Sequence, residues 1–406
     1  MRILVLDGDQ NQAVASVRSL AKHGHEVLAG ESSSWSKAGW SRSCSGTFRY
    51  PDPRLDAAGF IERISELAKP RPGTLILPMT EKTTLPISIH RDRLFDAGAR
   101  IVLPAHASVV RAFNKDEMIR LASSLGIAVP KTIAVTMPEE LQEALKTITF
   151  PVVMKPRSSV EARSDGTVRI SGRPRYASNV EELRDRFQEM IRCCSQVLIQ
   201  EFVDGEGAGY FALMHEGKLR AEFAHRRIRD VHPTGSGSAV RVSVEPTSEV
   251  REASLAMLKA LGWHGVAMVE FRQAAGRPPV FMEVNGRFWN SLPLACYAGM
   301  DFPALLARMA ESGDVETHLR YRTGVVCRWL LGDLRHLVEV WRGAPSGYPR
   351  PYPPRFRTLL AVLTPQRGTF HDNFQWQDPM PELGDWLTTV AQVLQRAASK
   401  TRGISK

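Results

Sequence analysis

Val266-Ala267-Met268-Val269-Glu270-Phe271 and Val280-Phe281-Met282-Glu283-Val284-Asn285 read as the two strands of one hairpin. Both runs are rich in β-branched and aromatic residues, and the turn between them holds Gly276, Arg277, Pro278 and Pro279. A turn centred near Gly276 sets Glu270 opposite Glu283, with Cβ atoms roughly 5 Å apart. Period-two alternation places Asn285 on the Glu283 face and Val269, Phe271, Met282 and Val284 on the other, apolar face. Two carboxylates held that close repel. A hard divalent cation resolves the repulsion, and Mg²⁺ takes one or two carboxylates plus substrate phosphates. The bland alternative is a solvated face with incidental acids. The Glu-Val-Asn-Gly-Arg continuation and the lysines upstream weigh against it.

Outward from the hairpin, the chain punctuates itself. Residues 1–113 alternate strand and helix: Ile3–Leu6, Ala13–His23, Glu26–Gly30, Gly59–Ala68, Thr74–Pro78 and a further strand at Ile101–Pro104. That alternation implies an open, mostly parallel α/β sheet. Ligands sit beyond the carboxyl ends of such strands, which brings Asp7, Gly8, Asn11, Thr80 and Glu81 near a site, although turn chemistry and helix capping explain several of them as well. No GxGxxG follows the first strand, so a dinucleotide site is disfavoured.

A second unit begins at Asn114 with a helix opened by Lys115. Phe150–Pro156 is a strand carrying Lys155 among apolar residues, and a cation there needs an anion. The polar stretch 157–172 suits a loop that closes over phosphates, although Ser158–Ser164 lacks glycine. Gln196–Val203 is a strand, 204–207 a turn, and Tyr210–His215 with Leu219–Ala224 a hairpin. Residues 225–238 read as a basic turn and flexible loop, in which Arg226 or Arg227 suits carboxylate capture and Arg241 is a weaker choice. From 313 onward the composition shifts toward Arg, Trp and Pro, read as helices and loops.

Bulk properties narrow the class. The 406 residues are 43% hydrophobic and 24% charged with net charge +10, ordinary for a globular chain of two or three domains. Nine arginines between 320 and 370 face only Asp333 and Glu339. No nucleic-acid-binding motif accompanies them, so solubility or an acidic substrate is the preferred reading. No apolar run approaches the roughly 18 residues of a membrane span. Cys44, Cys193, Cys194, Cys296 and Cys327 are odd in number and lack CxxC, which disfavours a disulfide framework and structural zinc and suits a reducing cytoplasm.

Asn114-Lys115-Asp116, Val153-Met154-Lys155-Pro156, Gln200-Glu201-Phe202-Val203-Asp204-Gly205-Glu206 and Met282-Glu283-Val284-Asn285-Gly286-Arg287 occur in that order. Together they resemble the ATP-grasp superfamily, in its carboxylate–amine ligase branch, over about residues 1–312. The resemblance implies an α/β pre-ATP-grasp domain (1–113), two α+β lobes (114–195 and 196–312) and a basic C-terminal extension (313–406). It implies ATP held by Lys115, Lys155, the Glu201–Phe202–Val203 hinge and Glu206 at the ribose. Mg²⁺, or Mn²⁺ in its place, would sit on Glu270, Glu283 and Asn285, with Arg287 and Arg226 as catalytic residues. The expected reaction forms an acyl phosphate and then an amide, with small-molecule carboxylate and amine substrates and a homodimer allowed. The rivals are a phosphotransferase or carboxyphosphate-forming use of the same site, and a non-catalytic nucleotide-binding protein.

Overall fold

A computed structural model describes residues 1–403 except 159, 164–166, 171, 173, 193, 365 and 366. The N-terminal sheet is parallel and four-stranded. Its spatial order is Gly46–Arg49, Glu26–Glu31, Arg2–Val5, Leu75–Leu77. The expected strand at 101–104 is absent. Only a Leu75–Arg100 bridge forms, and Pro104 brings no N–H to a ladder. Leu75–Leu77 is thus the edge on that side, and the opposite edge is Gly46–Arg49. It is half-exposed and polar, so its sequence lacks a strand's apolar signature. At the end of the first strand Asp7 adopts φ 53°, and its carboxylate accepts from Thr83 Oγ1 at 2.6 Å, Thr80 Oγ1 at 3.0 Å and Met79 N at 3.2 Å. A short polar side chain tolerates this left-handed turn, and the bonds clamp the first strand's end to the Leu75–Leu77 strand.

The small lobe is a four-stranded antiparallel sheet in the order Thr132–Val135, Val197–Glu201, Val152–Pro156, Arg175–Ala177. Helix Val180–Ile191 is capped by Asn179, whose side chain accepts from Glu182 N at 2.9 Å. It buries Leu183, Phe187 and Met190 against Val152, Met154 and Ile199. Within the 157–172 stretch, Val160–Ala162 and Val168–Ile170 pair as a hairpin. Part of the expected closing loop, with Ser159 and Ser164 in it, lies outside the described residues.

The large lobe is a seven-stranded sheet in the order Val280–Asn285, Gly265–Gln273, Glu206–His215, Lys218–His232, Ser236–Ser243, Val326–Arg328, Phe370–His371. The expected basic loop at 225–238 is corrected here. Lys218–His232 and Ser236–Ser243 are paired strands, with register shifts around Arg229 that absorb the unpatterned residues. The region after 313 is likewise more than helices and loops, since two of its short strands extend this sheet. Trp289 packs at a tilt against Phe211 at 4.3 Å and lies edge-on to Phe302 at 5.0 Å, in a core shared with Ile3 and Val5 of the N-terminal sheet and Val14 of helix Asn11–Lys22. Burial of each large side chain is worth about 1.5–3 kcal/mol, so this seam holds the N-terminal unit onto the large lobe.

The segment after helix Leu330–Arg342 crosses to the small lobe. Ser346 Oγ donates to Glu182 at 2.9 Å, Tyr348 packs edge-on against Tyr176 and Phe202, and Arg350 pairs with Asp204 at 2.8 Å. No helix among the described residues is long and apolar enough to cross a membrane.

Candidate active site

Glu270 pairs with Glu283 as expected and Asn285 lies on the same face. A bulge between Glu270 and Phe271 sets Phe271 opposite Phe281, so Phe281 and not Met282 joins the apolar face, and Met282 lines the site cavity. Asn285 Nδ2 donates to Glu283 at 3.2 Å and to Glu270 at 3.3 Å. Each carboxylate also meets a cation. Lys115 Nζ lies 3.4 Å from Glu283, and Arg227 Nη2 donates to Glu270. Burial works against the Glu283 anion, but Lys115 and Lys155 outweigh it and hold the carboxyl down at about 2. Glu283 is therefore an anion throughout the physiological range.

Lys115 sits in the first turn of helix Lys115–Ser124, where the cap Asn114 accepts from Glu117 N at 3.3 Å. Lys155 comes from the small-lobe sheet and donates to Gln200 at 2.8 Å. Burial lowers the Lys155 ammonium to about 8; Glu283 pulls it up, while Lys115 and Arg272 push it further down. The lysines, Glu270, Glu283, Arg227 and Gly207 line one cavity of about 240 Å³.

Arg287 Nη2 donates to Asn285 Oδ1 at 3.0 Å and lies 2.8 Å from Glu81. Glu81 opens the helix that follows the Leu75–Leu77 strand, one of the strand ends that sequence reasoning placed near a site. Burial disfavours the Glu81 anion, but the Arg287 charge overcomes this and lowers it. The N-terminal unit thus reaches the hairpin through one ion pair.

Two expected placements change. Arg226 is half-exposed and pairs with Glu206 at 3.2 Å, on the sheet face away from Glu270. Strand alternation is the reason. Arg226 is aligned with Ala208 and Phe271, whereas Arg227 and Gly207 share the Glu270 face. Arg227, not Arg226, therefore meets the acids, and its guanidinium is raised by Glu270 and Asp230 against the opposing effect of burial. Glu206 likewise lines a separate groove with Arg226, and Asp204 is taken by Arg350. Arg241 is fully buried against Asp372 in the C-terminal region.

In the hinge, Glu201 N donates to Lys131 O at 3.0 Å and Phe202 N to Pro151 O at 3.1 Å. The Val203 N–H has no hydrogen-bond partner among the described residues. The donor set at the hairpin is two carboxylates and the Asn285 amide, whose oxygen is turned to Arg287. No group of three His, Cys, Asp or Glu side chains able to hold a metal occurs among the described residues. A hard cation fits there only with further oxygens supplied by a ligand, as Mg²⁺ does with phosphates.

Comparison with known proteins agrees with this frame. Residues 194–332 match the family described as "ATP-grasp in the biosynthetic pathway with Ter operon". The carbamoyl phosphate synthase large chain, N-terminal section, of Methanopyrus kandleri is 26% identical over 257 residues, 59% of this chain and 43% of that protein. The chain thus spans less than half the length of this relative. The biotin carboxylase domain of Hydrogenobacter thermophilus 2-oxoglutarate carboxylase, solved with MgADP, ADP and bicarbonate, superposes with TM-score 0.62 at 14% identity, covering 80% of this chain and 73% of that one. An L-amino acid ligase from Bacillus licheniformis superposes with TM-score 0.57 at 15% identity, covering 78% and 74%. The fold is ATP-grasp. Over residues 194–332 the chain is similar to that ATP-grasp family, and the solved structures share its fold.

Proposed function

We propose that the protein is an ATP- and Mg²⁺-dependent ligase that activates a carboxylate as an acyl phosphate and couples it to an amine. The observation that carries this reading is the paired Glu270 and Glu283, which line the 240 Å³ cavity with Lys115, Lys155 and Arg227, while Arg287 sits on Asn285 beside them. Glu270, Glu283 and Asn285 would hold Mg²⁺, which neutralises charge on the phosphates when bound. Lys115 and Arg227 now neutralise those acids, so a metal–nucleotide would displace them toward phosphate oxygens. Lys155 would bind phosphate as a point charge and Arg287 as a planar fork. A carboxylate oxygen attacks the γ-phosphorus and the bond to the β–γ bridging oxygen breaks, releasing ADP. The amine lone pair then attacks the acyl carbon, phosphate leaves with the C–O bond electrons, and the nitrogen gives up a proton. Catalysis is by positioning and electrostatics.

Similarity to carbamoyl phosphate synthase and to a bicarbonate-bound carboxylase domain favours a second reading, in which bicarbonate is phosphorylated to carboxyphosphate. Hydroxylamine separates the two. With an organic acid as substrate, ligase chemistry yields a stable hydroxamate of that acid together with ADP. ADP release driven by bicarbonate alone, with no hydroxamate from any acid tested, would sink the ligase reading.

A further inference from the structure

The arginine-rich region after residue 320 carries an apolar face that stays exposed. In helix Arg355–Leu363, Phe356, Leu360 and Leu363 are spaced four and three residues apart and so share one face. They are 76%, 64% and 68% exposed, whereas Thr358 on the opposite face is buried. The stripe runs on into helix Leu330–Arg342, where the exposed Trp341 meets Phe356 edge-on at 6.2 Å. Single exposed apolar residues are ordinary, but a row of large ones marks a docking surface.

Positive charge without a counter-ion flanks this stripe. At the pitch of an α-helix, Arg355 and Arg357 stand roughly 100° to either side of it. Both are exposed, as is Arg367 just beyond the helix, and none of the three forms an ion pair or hydrogen bond among the described residues. The two acids between 320 and 370 are already taken. Asp333 pairs with Arg229 at 2.6 Å and Arg328 at 2.5 Å, and Glu339 with Arg342 at 2.9 Å. An apolar stripe between free arginines complements a layer that is apolar within and negatively charged at its surface. Arginine stems can lie along apolar groups while their heads stay in water. Other occupants fit less well. A twofold dimer would set the patch against itself, and Arg355 and Arg357 against like charge. A nucleic acid would answer the arginines and leave the protruding leucines without a partner.

We propose that helix Arg355–Leu363, with Trp341 beside it, docks the protein on an anionic lipid surface, its apolar stripe at the acyl boundary and its arginines among the headgroups. The full chain is sedimented with vesicles of phosphatidylcholine alone and with vesicles of phosphatidylcholine and phosphatidylserine in equal parts. It should bind the mixed vesicles at least about tenfold more tightly than the neutral ones, and salt should weaken that binding. Phe356→Ser combined with Leu360→Ser should weaken it by at least about tenfold. Arg355→Gln, Arg357→Gln and Arg367→Gln together should weaken it roughly 100-fold, about fivefold for each charge. All five positions are exposed, so the melting temperature of both variants should stay at the wild-type value, which separates lost binding from a lost fold. The proposal is overturned if neither kind of vesicle is bound, if both are bound equally, or if either set of substitutions leaves binding unchanged. Binding to a single-stranded oligonucleotide with none to the mixed vesicles would overturn it in favour of a nucleic acid, and a dimer that Leu360→Ser dissociates would overturn it in favour of a second copy of the chain.

Discussion

The hairpin site and a second cavity are both rich in charge, but they are assembled differently. In the hairpin, Glu270 and Glu283 are brought together by one strand pair and one turn. In the second, a cavity of about 530 Å³ lined by Asn11, Lys37 and Asp385 between the N-terminal strand ends and the C-terminal region, Lys37 pairs with Asp385 at 2.9 Å and Asn11 donates to Asp372 at 2.9 Å, across 348 and 361 residues of chain. Trp329 Nε1 and Asn373 Nδ2 also donate to Asp385. One site depends on local register and the other on the docking of the C-terminal region. The acids of the first are matched by cations that, on the proposed function, a nucleotide would draw away, whereas the second is held by a buried network of ion pairs and hydrogen bonds. A site that must exchange partners is built from half-buried pairs; a seam that must hold is built from buried ones.

The largest stability effect should therefore fall on the seam. Asp385→Ala leaves Lys37, only 3% exposed, without its counter-ion. Breaking such a pair from one side costs about 3–5 kcal/mol. A chemical denaturation midpoint should drop accordingly, while nucleotide affinity of the folded fraction stays at the wild-type value. A loss of nucleotide binding without a loss of stability would erase the distinction between the two regions.

Arg287 lies between them. Arg287→Lys keeps the charge but loses the fork that spans Asn285 and Glu81. The expected result is a fall in kcat of roughly 10²-fold with little change in ATP affinity. A lower melting temperature with unchanged kcat would make Arg287 an anchor of the hairpin to the N-terminal unit and nothing more.

Neighbouring arginines test the face assignment. Arg227→Gln should weaken Mg²⁺–nucleotide binding or turnover by about tenfold or more, since it removes the partner of Glu270. Arg226→Gln, in an exposed pair with Glu206, should stay close to wild type in the same assay. The opposite ranking would mean that the strand presents its other face to substrate.

A smaller effect concerns protons. Lys155 titrates at about 8, below its usual value, because burial disfavours the ammonium. Near pH 8 a sizeable fraction of the free protein has Lys155 neutral, and phosphate oxygens would restore the charge. Nucleotide binding at pH 8 should therefore take up protons, and affinity should fall as pH rises through and above 8. Calorimetry in buffers of different ionisation enthalpy measures the uptake, which should vanish in Lys155→Met. Equal uptake in that variant would assign the titration to another group.

Much of the hairpin site was legible because its geometry follows from period-two alternation and one turn. The convergence of Lys115 and Lys155 on the hairpin was implied by the resemblance, but the glutamate pair and Asn285 needed no long-range information. The choice between Arg226 and Arg227 did, because parity along a strand with register shifts near Arg229 is fixed only by its partners. Glu81 was placed near a site by the strand-end rule, but its pairing with Arg287 joins residues 206 apart. Lys37 lies in the serine-rich stretch Ser32-Ser33-Ser34-Trp35-Ser36, which carries no periodic signal and reads as loop. Val326–Arg328 is a three-residue strand whose register comes from Val240–Val242, so nothing within it announces a sheet.

The most direct test is the Mg²⁺ dependence of nucleotide binding. It needs neither the carboxylate nor the amine to be known. A non-hydrolysable ATP analogue is titrated into the wild-type protein and into Glu283→Gln, each with Mg²⁺ and with chelator. The wild-type protein should gain at least about tenfold in affinity from Mg²⁺, and Glu283→Gln should lose most of that gain while keeping its fold. An equal gain in both proteins would show that the paired glutamates are not where the metal and the phosphates meet.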